Sequence, residues 1–233
     1  MWYWFFKYVL VGPLARWYLR PTWVGREHLP RSGPAILAAN HLTMLDPVVV
    51  SLGVPRRVTF VAKAKYYSGT SVKRRALAWF LAAIGQVPID PANAEAASPA
   101  LETARDILRS GDIMAMFPEG TRSPDGRLYR GRTGVMRLAL PMQVPVVPVI
   151  VSGTRGVRLP GQGGARRGRV TITYAAPFDL SPWADRREDP AAWREATDAL
   201  MQQIALQSGQ EYADRYPTEQ ERIERDLRTG TEG

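Results

Sequence analysis

The sequence predicts an α/β fold: a mostly parallel central sheet flanked by helices, with an N-terminal interfacial helix or helical hairpin. Three observations predict it. From Thr22 onward, short β-like runs alternate with stretches of helical periodicity. The 233 residues are 45% hydrophobic and 23% charged, enough to build one sizeable core. The first twenty residues hold Trp2, Tyr3, Trp4, Phe5, Phe6, Tyr8, Trp17 and Tyr18 with Lys7, Arg16 and Arg20 among them, a mixture suited to a water–hydrocarbon boundary.

Taken in order, residues 1–20 form the interfacial segment, with packing of the same helix on the protein's own core as the alternative. Thr22–Gly25, Ala35–Ala39 and Val58–Ala62 read as strands, and Pro47–Gly53 as a helix opened by Asp46 at the N-cap and Pro47 at the first turn. Val72–Ile84 and Ala94–Ser110 read as helices; the second carries Leu101, Ala104, Ile107 and Leu108 at helical spacing and stops at Gly111. Asp112–Phe117 is a strand, Gly134–Leu140 a helix and Val146–Ser152 a strand. Arg155–Arg169 is too glycine-rich for regular structure and reads as a basic loop. Val170–Tyr174 is a strand and Pro190–Tyr212 a helix. The chain divides into the segment 1–20, a main domain 21–216 and a charged tail 217–233.

Several classes are excluded. Cysteine is absent, which removes disulfide scaffolds, thiolate catalysis and cysteine-ligated metals, and fits a reducing compartment. With only His28 and His41, no metal site is expected. The longest uncharged run, Leu138–Thr154, contains three prolines and is a poor spanning helix. The N-terminus lacks a secretory pattern. The net charge of +9 is uneven: residues 181–233 carry 7 basic and 12 acidic groups, so the positive face belongs to residues 1–180 and suits an anionic partner.

Two segments carry chemistry. Ala35–Pro47 places His41 directly after an apolar strand and Asp46 five residues on, and a strand-to-helix turn between them lets the side chains meet. An imidazole with one nitrogen on a carboxylate can take a hydroxyl proton at the other, and without a Ser or Cys nucleophile the hydroxyl is the substrate's own. The alternative is that Asp46 only caps a helix. Ile113–Gly126 is a strand opening into a turn with Glu119, Gly120, Thr121 and Arg122, an anion cradle or an ordinary exposed turn. Gly126–Thr133 approaches a P-loop but has Arg132 where lysine is required, so nucleotide hydrolysis is rejected. Gly131, Thr133 and Gly134 still resemble a phosphate-receiving helix start, and no Gly-x-Ser-x-Gly elbow occurs.

Together, these motifs resemble the 1-acyl-glycerol-3-phosphate acyltransferases and related glycerolipid acyltransferases over roughly Trp23 to Thr154. Asn40-His41-Leu-Thr-Met-Leu-Asp46, Gly85-Gln-Val-Pro-Ile-Asp90, Phe117-Pro-Glu-Gly-Thr-Arg-Ser123 and Val144-Pro-Val-Val-Pro-Val149 are similar to four family blocks in order. The resemblance implies that His41 is the catalytic base with Asp46 as its partner, and that Glu119, Gly120, Thr121 and Arg122 help bind the acceptor, with backbone donors near Gly120 for the oxyanion. Lys63 falls where the family carries a basic residue near the acceptor phosphate. The second block departs from the family: Pro91 follows Asp90 where arginine is usual, with Lys63, Arg122 or Arg132 as substitutes.

The implied reaction moves an acyl group from acyl-CoA or acyl-carrier protein, a substrate rather than a cofactor, to lysophosphatidic acid, making phosphatidic acid. No metal or bound cofactor is implied. Alternatives are a different lyso-glycerolipid, glycolipid or glycerol-3-phosphate acceptor, a non-catalytic lipid-binding protein, or a basic nucleic-acid-binding protein; no nucleic-acid partner is expected. Trp2, Trp4, Phe5, Phe6 and Lys7 are expected to contact an anionic bilayer surface, placing the protein peripherally or monotopically on the cytoplasmic face of the cell membrane.

Overall fold

The computed structural model describes residues 2–63, 75, 85–89, 99–158 and 165–229. Among these, seven strands make one sheet in the order β1-β8-β7-β2-β5-β3-β4. They are β1 (Thr22–Val24), β2 (Ala35–Ala39), β3 (Val58–Lys63), β4 (Gln86–Ile89), β5 (Ile113–Met116), β7 (Val146–Ser152) and β8 (Thr171–Tyr174). Every neighbouring pair is parallel except β7 with β8. A separate parallel pair joins β6 (Leu128–Tyr129) to β9 (Tyr212–Ala213).

The sheet is covered on both faces, and the two-residue period of β2 sorts the layers. Ala35, Leu37 and Ala39 face one apolar cluster, Ile36 and Ala38 the other. The first cluster takes Val49, Val50 and Leu52 of α3 (Asp46–Gly53) and Ala15 and Leu19 of α2 (Val11–Leu19). The second takes Ala104 and Leu108 of α4 (Pro99–Arg109), Val135, Met136 and Leu138 of α5 (Gly134–Met142), and Ala196, Leu200 and Ile204 of α6 (Pro190–Ser208). The fold is the expected mixed α/β arrangement.

The differences from the sequence expectations have local causes. β4, β6 and β9 were not anticipated: β4 contains a proline, and β6 and β9 are two residues each, too short for a periodic signal. The helix expected over Pro190–Tyr212 starts at Pro190, with Asp189 Oδ1 accepting from the Ala191 N–H at 2.9 Å, but stops at Ser208 because Gly209 takes a left-handed conformation (φ 66°). The helix expected over Val72–Ile84 lies outside the described residues apart from Arg75. The tail forms α7 (Glu219–Thr229).

The N-terminal segment is one helical run: α1 (Trp2–Phe5), a π turn over Phe6–Leu10, then α2. Its two faces differ. Tyr3, Phe6, Lys7, Ala15 and Leu19 are buried, whereas Trp2, Trp4, Phe5, Tyr8, Val9, Leu10, Leu14 and Trp17 are exposed. Phe6 and Lys7 therefore depart from the expectation that they face a membrane. The Lys7 ammonium donates to the carbonyls of Val54 and, at 3.3 Å, Arg56, and burial lowers its pKa to about 8, with Arg16 and Arg26 adding repulsion. The Tyr3 hydroxyl accepts from the Val58 N–H at 3.1 Å, pinning the run to the start of β3.

Candidate active site

Parallel register brings the chemistry-bearing loops to one edge. Ala38 of β2 pairs with Met116 of β5, so the chain leaving β2 at Asn40 and the chain leaving β5 at Phe117 emerge side by side. Lys63 closes β3, the next strand beyond β5, in register with Ile89 of β4. The carboxyl ends of parallel strands are where such sheets form ligand crevices.

Asn40 fixes the start of the first loop. Its buried side-chain amide accepts from the Val151 N–H at 2.7 Å, donates to the Val151 carbonyl at 2.9 Å, and donates to Gln210 Oε1 at 2.7 Å. Asp46, fully buried, collects the loop that follows. Its Oδ2 accepts from His41 Nδ1 at 2.9 Å, the Leu42 N–H at 2.5 Å and the Thr43 N–H at 2.7 Å, and its Oδ1 accepts from Thr43 Oγ1 at 3.0 Å. This corrects the expected N-cap. Asp46 is the first helical residue, Leu45 stands at the cap, and the carboxylate turns back into the loop.

This geometry fixes the tautomer. A carboxylate only accepts, so Nδ1 carries the hydrogen toward Asp46, and in the neutral ring the lone pair is on Nε2. The imidazole lies against Phe117, rings 3.8 Å apart at 14°, so its plane is set as well. Its remaining edge can take a proton from a hydroxyl.

The second loop is tied to the first through backbone groups. Glu119 Oε1 accepts from the His41 N–H at 2.9 Å and its Oε2 from the Tyr129 N–H at 3.0 Å. The Ser123 N–H donates to the His41 carbonyl at 2.7 Å. Glu119 is buried, and both of its oxygens are taken up by this frame. Burial pushes its pKa up to about 8 against the pull of those two N–H bonds, with Asp46 and Asp125 adding to the rise.

The other expected acceptor residues are distributed as follows. Gly120 is exposed with Arg132 packed across it, but its N–H donates to the Phe117 carbonyl at 2.9 Å and so is not available as an oxyanion donor. Thr121 Oγ1 accepts from Arg225 Nη1 at 2.9 Å. Arg122 Nη2 donates to Asp226 Oδ1 at 2.7 Å. Arg132 is exposed, its guanidinium 5.1 Å from the Tyr216 ring centroid. The Lys63 side chain and the segment Asp90–Pro91 lie outside the described residues. Among the described residues, no three His, Cys, Asp or Glu side chains gather to hold a metal ion.

Sequence reasoning missed Asn40, Thr43 and Phe117 as positioning residues, although all three lie inside the quoted blocks. It also missed Arg225 and Asp226, for which no local signal existed.

A family model described as Acyltransferase matches residues 20–152. The chain belongs to this acyltransferase family. Its relatives include the 1-acyl-sn-glycerol-3-phosphate acyltransferase of Limnanthes alba, 30% identical over 184 residues, covering 77% of this chain and 63% of that protein. The alpha form from Bos taurus is 33% identical over 154 residues, 66% of this chain and 52% of that protein. The chain thus spans less than two thirds of the length of these relatives. The crystal structure of the 1-acyl-sn-glycerophosphate acyltransferase PlsC from Thermotoga maritima shares the fold of this family member, with a TM-score of 0.63 at 24% identity over 87% of this chain and 78% of that one.

Proposed function

We propose that this protein transfers a fatty acyl group from a thioester donor, acyl-CoA or acyl-carrier protein, to the free hydroxyl of lysophosphatidic acid, releasing phosphatidic acid and the free thiol. The observation that carries the reading is the His41–Asp46 pair, 2.9 Å apart, with Asp46 wholly buried and the imidazole held by Phe117 beside the Arg122 loop. His41 Nε2 accepts the hydroxyl proton as the acceptor oxygen forms its bond to the thioester carbonyl. The tetrahedral intermediate collapses by breaking the carbon–sulfur bond, and the imidazolium returns the proton to the departing thiolate. Asp46 stabilises the imidazolium between the two transfers.

Arg122, whose planar fork suits phosphate, selects the acceptor. The relatives' names as 1-acyl-sn-glycerol-3-phosphate acyltransferases support lysophosphatidic acid as that acceptor. The exposed aromatic and aliphatic side chains of the N-terminal run support attachment to a bilayer surface, where acceptor and product reside. Among the described residues no helix is long and apolar enough to cross a membrane.

The test is thioester release with lysophosphatidic acid. His41→Ala should lower kcat by about 10²-fold or more with the melting temperature nearly unchanged. Retention of more than about a tenth of the activity would reject His41 as the base.

A further inference from the structure

α7 is a well-started helix. Thr218 and Glu221 form a reciprocal cap, the Glu221 N–H donating to Thr218 Oγ1 at 3.2 Å and the Thr218 N–H to Glu221 Oε2 at 2.8 Å. Arg215 Nη2 holds Glu221 Oε1 at 2.6 Å. The helix lies across the loop after β5. Arg225 Nη1 donates to Thr121 Oγ1 at 2.9 Å and to the Arg122 carbonyl, and Arg228 Nη2 donates to the Pro124 carbonyl at 3.4 Å.

The consequence lies between the two arginines. Asp226 Oδ1 accepts from Arg122 Nη2 at 2.7 Å and from Arg225 Nε at 2.9 Å, with Arg225 Nη2 2.8 Å away. One carboxylate oxygen is shared by two guanidinium groups whose side chains are only 11% and 9% exposed. Asp226 itself is 34% exposed, on the solvent side of the pair. Two nearly buried forks converging on one oxygen describe a seat for a small anion. A phosphate monoester, with up to two negative charges and three terminal oxygens, matches two forks better than a carboxylate does. The loop bearing Arg122 is bonded to the His41 backbone at Glu119 and Ser123, which ties the seat to the loop that holds the imidazole.

We propose that Arg225 is a second phosphate-binding residue of the acceptor site, acting with Arg122, and that Asp226 occupies the seat until the acceptor's phosphate monoester displaces it. This rests on the reading of Arg122 as an acceptor ligand. α7, supplied by the last turns of the described chain, then helps determine specificity for phosphate-bearing acceptors.

The experiment measures steady-state kinetics of the full chain with lysophosphatidic acid, with monoacylglycerol as an acceptor lacking phosphate, and with inorganic phosphate as inhibitor. Arg225→Ala should raise the KM for lysophosphatidic acid about ten- to a hundredfold, with Arg225→Lys between it and the parent, and leave the donor KM unchanged. Asp226→Asn should move the same KM the other way, lowering it about three- to tenfold, because the internal competitor loses its charge. Inorganic phosphate should compete with the acceptor at lower concentration in Asp226→Asn than in the parent, and the preference for lysophosphatidic acid over monoacylglycerol, as a ratio of kcat/KM, should fall in Arg225→Ala and rise in Asp226→Asn. The opposed directions separate ligand binding from mere support of the loop, which would raise KM in both variants and overturn the proposal. If Arg225→Ala fails to fold, Asp226→Asn decides alone: an unchanged or raised KM refutes displacement. Arg122→Ala keeps the two readings apart. If it raises the acceptor KM while the α7 variants do nothing, only the present inference fails; if it leaves that KM unchanged, the reading of Arg122 fails first.

Discussion

At Asp46, one carboxylate serves two purposes that substitution can separate. Asp46→Asn can keep an oxygen toward His41 and the Leu42 and Thr43 N–H groups and turn its amide to the Thr43 hydroxyl, so the loop survives but the imidazolium loses its counter-charge. Its kcat should fall by roughly tenfold or more, with the melting temperature lowered by a few degrees. Asp46→Ala strips the same loop of four hydrogen bonds and should lose activity and stability together, measured by parallel kinetics and thermal unfolding. Glu119 makes a different prediction. The folded protein holds its proton from the ordinary value of 4.5 up to about 8, where the unfolded chain has released it. The native state therefore binds more protons across that window, and stability falls as pH rises through it. Glu119→Gln should remove this slope and, by setting an amide N–H against a backbone N–H, cost about 1–3 kcal/mol at acid pH. Denaturant unfolding at about pH 5 and about pH 8 checks both; a parent protein equally stable at the two values would contradict the sign.

At the scale of elements, the π turn in the N-terminal run is tied to one residue. A Cβ at Gly12 would stand 1.7 Å from the Lys7 carbonyl oxygen, so no side chain fits without moving the backbone. The turn in question is the one that rotates Lys7 inward to the Val54 and Arg56 carbonyls. Gly12→Ala should therefore cost about 1–3 kcal/mol, like other overpacked substitutions, and loosen the run from β3. Fluorescence of the N-terminal tryptophans and thermal unfolding would report it, and an unchanged melting temperature would show that the π turn does not depend on this close approach.

For the molecule as a whole, the N-terminal run is both part of the core and a surface. Deleting residues 1–20 would remove Ala15 and Leu19 from the first apolar cluster and the Tyr3 bond to β3, so truncation tests folding as much as attachment. Substituting only the outward side chains is cleaner. Trp2→Ser, Trp4→Ser and Trp17→Ser together should release the protein from anionic vesicles and depress turnover of vesicle-borne acceptor, while a monomeric short-chain acceptor is still used. Each buried aromatic contributes a few kcal/mol at ~25 cal/mol per Å² before ordering costs, so the loss in vesicle partitioning should be large and only weakly salt-dependent. Unchanged sedimentation with vesicles would remove the surface reading and leave a core helix.

The strands β2, β3, β5 and β7 and the helices α3 and α4 were legible because their patterns are local: apolar runs of strand length, a proline at a helix start, helical spacing bounded by glycine. The His41–Asp46 pair was legible for the same reason, since five residues and a proline suffice to describe the turn that closes it. Which way Lys7 and Phe6 face was not, because a π turn shifts the helical phase by a residue and periodicity assumes no such shift. Glu119 was read as a ligand because a carboxylate in a turn is ordinarily solvated; only the register of β2 against β5 brings the His41 N–H to it. Arg225 and Asp226 meet Arg122 across about a hundred residues of chain, in a tail whose composition reads as solvated charge. The layered α/β class, the family blocks and the pairing of His41 with Asp46 could all be read from the chain, because each rests on neighbours in it. Which charged groups are buried, which face of the first helix is outward and which residues converge on Arg122 emerge only from the folded chain, because burial and long-range pairing depend on how separate elements pack.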